Sequence, residues 1–511
     1  MTNAAEFRTC PITGKKVFKT TQNLMWINAV TAVVFILIGG IMALLVALTR
    51  WPAVHLLPAD LFYRFLTAHG LNMLIFWIVF FEIAGLYFGS SVLLNVRLAT
   101  PKLAWLAYLL MLVGAVMVDW MIFTGRADVM FTSYVPLMAH PLYYLGVILF
   151  AVGALIGCGI FFATWAIARA EQTYEGSVPL VTFGLTAAAI IAVFTLSAGA
   201  IIMIPTFLWS IGLIQNLDAG LYRLIFWGLG HSSQQINVTA MVSIWYLLGA
   251  LTVGAKPVNE KICRTAFVLY ILFINLASEH HLLTDPTLSS AHKIANTSYF
   301  MYLAVLASMI HALAIPMALE VAQRKNGYTK GLFEWFTKAP WGQPGFPALI
   351  FSLFIFGFIG GITGVAYGTE QLAIKSHNTW AITGHFHATV VGGTTLAFMG
   401  LTYYVIPLIF RRELIGKKLA TIQPYIFGIG IVLMSLGMGA AGTLGSPRRH
   451  WDVTFAVSII PFSFDPTVIL FTTVAAIGAM LAVAGGAIYV IVSVLSVFFG
   501  RKMAANEAKL L

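Results

Sequence analysis

"TGHFHATVV", residues 383–391, sets two histidines two positions apart inside a long apolar run. Successive residues of an α-helix turn by about 100°. His385 and His387 therefore point about 200° apart, toward opposite sides of one helix. Such a helix can ligate two different groups, one on either flank.

The run is not isolated. Of the 511 residues 60% are hydrophobic and only 9% charged, more apolar surface than a water-soluble core can hide. Apolar stretches near the ~20 residues that cross a bilayer recur at 23–49, 61–92, 103–124, 140–168, 182–214, 220–254, 264–283, 295–322, 346–366, 379–409, 421–443 and 466–498. The expected fold is all-α: a polytopic membrane protein of about twelve transmembrane helices. It forms one domain over 1–511, with a bundle over 23–498 and cytoplasmic tails at 1–22 and 499–511. The opening residues are polar and basic, and read as a tail rather than a signal peptide.

Most of the 29 Lys and Arg fall in segments that lie inside if the N-terminus does, among them Lys15, Lys16, Arg411, Arg412, Lys417, Lys418, Arg501, Lys502 and Lys509. This positive-inside bias accounts for the net charge of +11 as topology, with no nucleic-acid partner implied. Both termini are expected on the cytoplasmic side of a bacterial or archaeal cytoplasmic membrane. Cys10, Cys158 and Cys263 are far apart, with no CxxC or CxxCH. The chain therefore attaches no c-type haem and lacks the paired cysteines of a dinuclear copper site.

Ionisable residues inside membrane spans are costly and usually functional. His69, His231, His280, His281, His385 and His387 all lie a few turns from the outer ends of their spans. Any one alone reads as a hydrogen-bonded core histidine; six at a common depth read as a site. In "SEHHLLTDP" (278–286) the adjacent His280 and His281 diverge by about 100°, so both reach one metal at the helix edge, with His231 of "GLGHSSQQINV" (228–238) as third ligand. Three imidazoles suit iron, copper or zinc.

"AHGLNMLIFW" (68–77), the Gly-His at 230–231, "HHLLTDP" (280–286), "HNTWAITGHFH" (377–387) and "GSPRRHWD" (445–452) together resemble the catalytic subunit I of the haem-copper oxidase superfamily. The "HHLLTDP" and "HNT…GHFH" stretches are most similar to its B-type members. The resemblance spans nearly the whole chain and implies two haems, expected to be b-type, and one non-haem metal. His69 and His387 would be axial ligands of a low-spin haem, His385 the single ligand of a high-spin haem, and His231, His280 and His281 the non-haem metal ligands. Two histidines close an iron to substrate, whereas one leaves a position for a diatomic ligand. Arg448 and Arg449 match an arginine pair that holds haem propionates, and His377 a histidine near them.

The sequence departs from the oxygen-reducing pattern where a redox-active tyrosine belongs. Four residues after His231 stands Gln235, and the position from which another oxidase class supplies the tyrosine holds Ile274. Familiar nitric oxide reductases carry a glutamate ligand at the place of Gln235. Its neutral isostere offers an amide oxygen, to a metal or to a bound ligand. Glu279, next to His280, is a candidate replacement ligand that would favour iron over copper, or a base on a ligand imidazole. The expected function is nitric oxide reduction, 2 NO + 2 e⁻ + 2 H⁺ to N2O and H2O, with Gln235 and Glu279 at the reacting centre. A divergent B-type oxygen reductase (cytochrome c or quinol oxidase) and an NO dismutase are the alternatives. Gln235, Thr239 and Ser243 at i+4 steps, with Tyr246, form a polar stripe toward the cytoplasm. With Ser308 and His311 of span eight they match a B-type proton path, although small polar residues also serve helix packing. Glu82 is a further intramembrane acid, relay or structural. Electrons are expected from a cupredoxin-like or c-type cytochrome subunit, or from quinol.

Overall fold

The computed structural model describes residues 7–286, 288–456, 458–459, 463–504 and 507. Lys509, and the remaining parts of both expected tails, lie outside the described residues. The bundle is built from α1 (Lys19–Arg50), α2 (Ala59–Val92), α3 (Pro101–Phe123), α4 (Pro141–Ala170), α5 (Leu180–Ser210), α6 (Ala219–Val253), α7 (Glu260–Leu269), α8 (Ser290–Lys325), α9 (Gly345–Tyr367), α10 (Trp380–Leu408), α11 (Lys417–Thr443) and α12 (Pro466–Phe499). All but α7 are long and apolar enough to cross a membrane. Local chemistry sets the ends. Proline opens α3, α4 and α12, where its missing N–H costs nothing. Asp218 and Asp465 accept backbone N–H bonds at the starts of α6 and α12. Gly254, at φ +72°, ends α6 in the left-handed conformation that glycine tolerates.

Sequence neighbours pack side by side, and α1 also lies against α12, closing the bundle. Burial ranks the spans by role. The apolar segments of α10, α6 and α2 are 83%, 72% and 67% buried, against at most 56% elsewhere. These three carry His385, His387, His231 and His69. Each of α2, α9 and α10 is widened by π-turns, at Asn72–Phe76, Ile355–Gly361 and His387–Thr395, a distortion common at functional sites.

One expectation needs correction. The seventh span is not one helix over 264–283. After α7 the chain makes a π-turn at Tyr270–Ile274 and re-forms as a short 3₁₀ turn, Ser278–Leu282, which carries both adjacent histidines. Polar side chains satisfy the interrupted backbone: Asn296 of α8 donates to the Leu276 carbonyl at 2.8 Å, and Ser278 to that of Asn275 at 3.0 Å. The segment expected as the N-terminal tail carries a short hairpin. β1 (Phe7–Thr9) pairs antiparallel with β2 (Lys16–Phe18). Arg8 then donates to the Leu408 and Ile409 carbonyls at 2.9 and 2.7 Å, capping the end of α10.

α11 and α12 approach through glycine. A Cβ on Gly478 would sit 2.3 Å from the Met434 backbone nitrogen, and one on Gly430 2.4 Å from that of Ala482. Small residues permit this closeness. Gly478→Leu is therefore expected to lower stability by about 1–3 kcal/mol or more. The measurement is the unfolding temperature of the detergent-purified protein, which should fall further than in Leu481→Ala, a control at an exposed position of the same helix.

Candidate functional site

Four of the six half-buried imidazoles have Nδ1 tied to a backbone carbonyl. His69 Nδ1 donates to the Gly39 carbonyl at 3.1 Å, His387 Nδ1 to the Thr383 carbonyl at 2.8 Å, and His385 Nδ1 to the Gly360 carbonyl at 3.0 Å, with Thr363 Oγ1 also at 3.0 Å. His280 Nδ1 donates to the Ala277 carbonyl at 2.6 Å. A carbonyl only accepts, so these rings carry the proton on Nδ1 and keep the Nε2 lone pair for a metal.

The rings of His69 and His387 lie 6.2 Å apart, with their planes within 10°. Two metal–nitrogen bonds of about 2 Å, plus the half-widths of two rings, span about 6 Å, so one iron fits between them. His385 leaves the other flank of α10 and rests on α9, where a Cβ on Gly364 would meet its Cε1 at 2.9 Å. The opposed directions expected from "HFH" are thus present.

His231, His280 and His281 converge, their candidate ligand atoms all within 4.8 Å of one another. His231 Nδ1 stands 3.1 Å from His281 Nε2, close to the spacing of two imidazoles on one ion. The His231 ring is edge-on to His280 at 4.3 Å, and Trp227 stacks on His281 at 3.8 Å and 5°. Among the described residues, no tyrosine ring or hydroxyl contacts these three imidazoles.

Gln235 Nε2 lies 2.7 Å from His231 Nε2, whereas His231 Nδ1 is the nitrogen beside His281. Gln235 therefore acts on His231 and does not stand among the converging nitrogens. The Glu279 carboxylate pairs with His292 of α8 and is not among the converging donors. The 3₁₀ turn that aims His280 and His281 inward carries Glu279 outward.

Arg448 and Arg449 line the same cavity as five of the imidazoles. Both are half-buried, and among the described residues neither pairs with a carboxylate. Burial, helped by Arg449 alongside, pushes the Arg448 guanidinium down to about 9. Two such cations call for anionic oxygens, which haem propionates supply. Burial and then Arg448 also hold the His377 imidazole below its ordinary range, placing it beside this pair. One cavity joins His69, His387, His385, His231, His281 and both arginines. The donor set and the cavity thus fit two haems and one metal ion.

The polar stripe is partly brought together. Tyr246 OH meets His311 Nδ1 at 2.9 Å and Tyr270 OH meets Ser308 Oγ at 2.9 Å. Thr239 and Ser243, however, donate to the Gln235 and Thr239 carbonyls of their own helix, each at 2.8 Å. They are not linked side chain to side chain.

Sequence reading missed three contributors. Trp227 lies one turn before His231 and on the same face, a spacing that pointed to it. Asp285 of "TDP" pairs with Arg223 at 2.8 Å. Arg50 ends α1 and donates to the His450 and Pro447 carbonyls at 2.8 and 2.9 Å, holding the loop that bears Arg448 and Arg449; an arginine closing an apolar run was its only signal. Arg50→Met leaves those carbonyls unpartnered. It is expected to cost about 3 kcal/mol and to lower bound low-spin haem, read by melting temperature and haem content.

Similarities to known proteins agree with this geometry. Residues 23–483 match the family described as "Cytochrome C and Quinol oxidase polypeptide I". Cytochrome c oxidase subunit 1 of Thermus thermophilus is 30% identical over 405 residues, covering 78% of this chain and 70% of the relative. That of Thermostichus vulcanus is 25% identical over 473 residues, covering 85% and 80%. A cryo-EM structure of a haem-copper terminal oxidase dimer superposes with a TM-score of 0.89 at 26% identity, covering 97% of this chain and 86% of that one. Six half-buried imidazoles in this arrangement, on this twelve-segment bundle, belong to a redox enzyme: the chain is a member of the haem-copper oxidase subunit I family.

Proposed function

We propose that this subunit is the catalytic chain of a nitric oxide reductase of the B-type-like branch, converting 2 NO, two electrons and two protons to N2O and water. The observation that carries this reading is Gln235 on His231 Nε2 at 2.7 Å. Complete reduction of O2 calls for an electron and a proton supplied together by a phenol at this place, and an amide supplies neither. Reduction of two NO needs only two electrons. The haem opposite His385 and the metal on the three imidazoles, when bound, hold the gas and deliver those electrons.

The chain's own residues set the rest. Thr363 and the Gly360 carbonyl fix the His385 ring, and Trp227 fixes His281. Gln235 sets which nitrogen of His231 is free. The imidazoles supply neutral nitrogen, and the non-haem metal is read as iron. Tyr246, His311, Tyr270 and Ser308 form two hydrogen-bonded pairs through which protons approach from the side read as cytoplasmic. Electrons come from a cupredoxin-like or c-type cytochrome subunit, or from quinol, on the outer side where Arg448 and Arg449 lie.

A second reading, reduction of O2, is favoured by the relatives named cytochrome c oxidase. The purified enzyme separates the two. N2O formation from NO with a reduced donor, about three irons and no copper per chain, and slow O2 uptake are expected; rapid O2 uptake to water with two irons and one copper would overturn the proposal. Gln235→Leu removes the amide from His231. It is expected to lower NO turnover about tenfold or more and to weaken metal retention by about 10–100-fold, measured by metal analysis after mild chelation.

A further inference from the structure

A second enclosed cavity lies between α2, α4, α5 and α6, separate from the one that joins the imidazoles. Its wall is aliphatic and aromatic almost throughout, yet Glu82 of α2 opens onto it. The other titratable groups on this wall are Cys158 and Tyr143, both of α4; among the described residues no Lys, Arg or His lines it. Tyr143 is engaged with Ser133 at 2.9 Å. Glu82 has a partner on α6. With the Asn237 amide turned so that both its ends are satisfied, Asn237 donates to Glu82 Oε1 at 3.0 Å and to the Ser233 carbonyl at 3.2 Å.

A carboxyl kept only for structure in such surroundings is matched by a cation. Among the described residues Glu82 has none, so losing its proton there is costly unless another arrives. The helix opposite explains the placement. Ser233 lines the apolar cavity, whereas His231 and Gln234 line the imidazole cavity, and Phe131 borders both. One helix thickness separates Glu82 from the metal-ligand cluster. On the other side lie buried hydroxyls of α2 and α5: Ser90, which donates to the Leu86 carbonyl at 2.9 Å, and Thr182, which donates to that of Gly89 at 2.8 Å.

We propose that Glu82 is a proton relay for the reduction carried out at the imidazole cluster. Its O–H bond breaks as the proton passes to water admitted to the cavity and on past Ser233 to the reduced oxygen of the substrate. The carboxylate then takes a proton from the Ser90 and Thr182 side, so no net charge stays in the cavity. Asn237 holds the carboxyl toward α6. This rests on the chain's membership of an oxidoreductase family and is indifferent to whether the gas is NO or O2, since both reductions consume protons.

The test uses the purified haem-loaded enzyme, reduced and then mixed with NO and, separately, O2. A wild-type infrared difference spectrum, in H2O and D2O, is expected to contain a protonated-carboxyl C=O band that changes during turnover. Glu82→Gln should abolish that band and slow proton uptake, followed with a pH-sensitive dye, by about a hundredfold, while haem spectra and carbon monoxide binding stay unchanged. Glu82→Asp should restore part of the uptake rate. Unchanged proton uptake in Glu82→Gln would overturn the relay, as would a wild-type spectrum with no carboxyl band. The latter measurement needs no variant and decides the matter even if Glu82→Gln fails to assemble.

Discussion

An imidazole inside a membrane needs a partner for each of its two nitrogens, and the organisation of this protein follows from how that need is met. Gly39, Ala277, Gly360 and Thr383 each offer a backbone carbonyl to one Nδ1–H. The fixed proton turns the remaining lone pair into a directed ligand atom. Without those carbonyls the rings would be free to donate to one another, as neutral imidazoles do, and the metal sites would not be preformed. The carbonyls are available because the helices that supply them are distorted or closely approached there. Gly39 faces Met73 and Asn72 of α2 so tightly that a Cβ would meet Met73 at 2.6 Å, and Gly360 lies inside a π-turn. Helix irregularity is thus part of the site.

The same economy explains why α10 is the most buried span. It must pack on α9 through His385 and face α2 through His387, so neither flank meets lipid. The chain that follows α7 meets a different demand. Its 3₁₀ turn holds the adjacent His280 and His281 at 4.5 Å between ring centres, with both rings against that of His231. The cost is interrupted backbone hydrogen bonding, offset by Asn296 from α8 and by Ser278.

The spans and the six histidines were legible because hydropathy and the expense of buried imidazoles act along the sequence itself. What escaped reading depends on where helices meet. Thr239 and Ser243 have the right period for a proton wire, yet a hydroxyl in apolar surroundings donates most readily to the carbonyl one turn back, and both do. Glu279 has the right neighbour for a ligand, yet the local turn carries it to His292. Arg50 drew no notice in the sequence, and only the folded chain reveals that the loop after α11 hangs on it. Helical periodicity placed His385 and His387 on opposite flanks, but it did not reveal the partners of Thr239, Ser243 and Glu279.

Gln235 is where these constraints bear on chemistry. With its nitrogen toward the ring, as the 2.7 Å contact has it, the amide donates to His231 Nε2, and the ring proton sits on Nδ1, between His231 and His281. With its oxygen toward the ring, the amide accepts from Nε2–H and leaves Nδ1 open to the cluster. Turning the amide over therefore shifts His231 between bonding its neighbour and ligating a metal, with no charge moved into the membrane interior. A tyrosine there would bring a redox-active phenol and a glutamate would bring a charge to be balanced. Glutamine brings neither, so the electrons and protons of any reaction at this cluster must come from the metals and from acids elsewhere in the bundle.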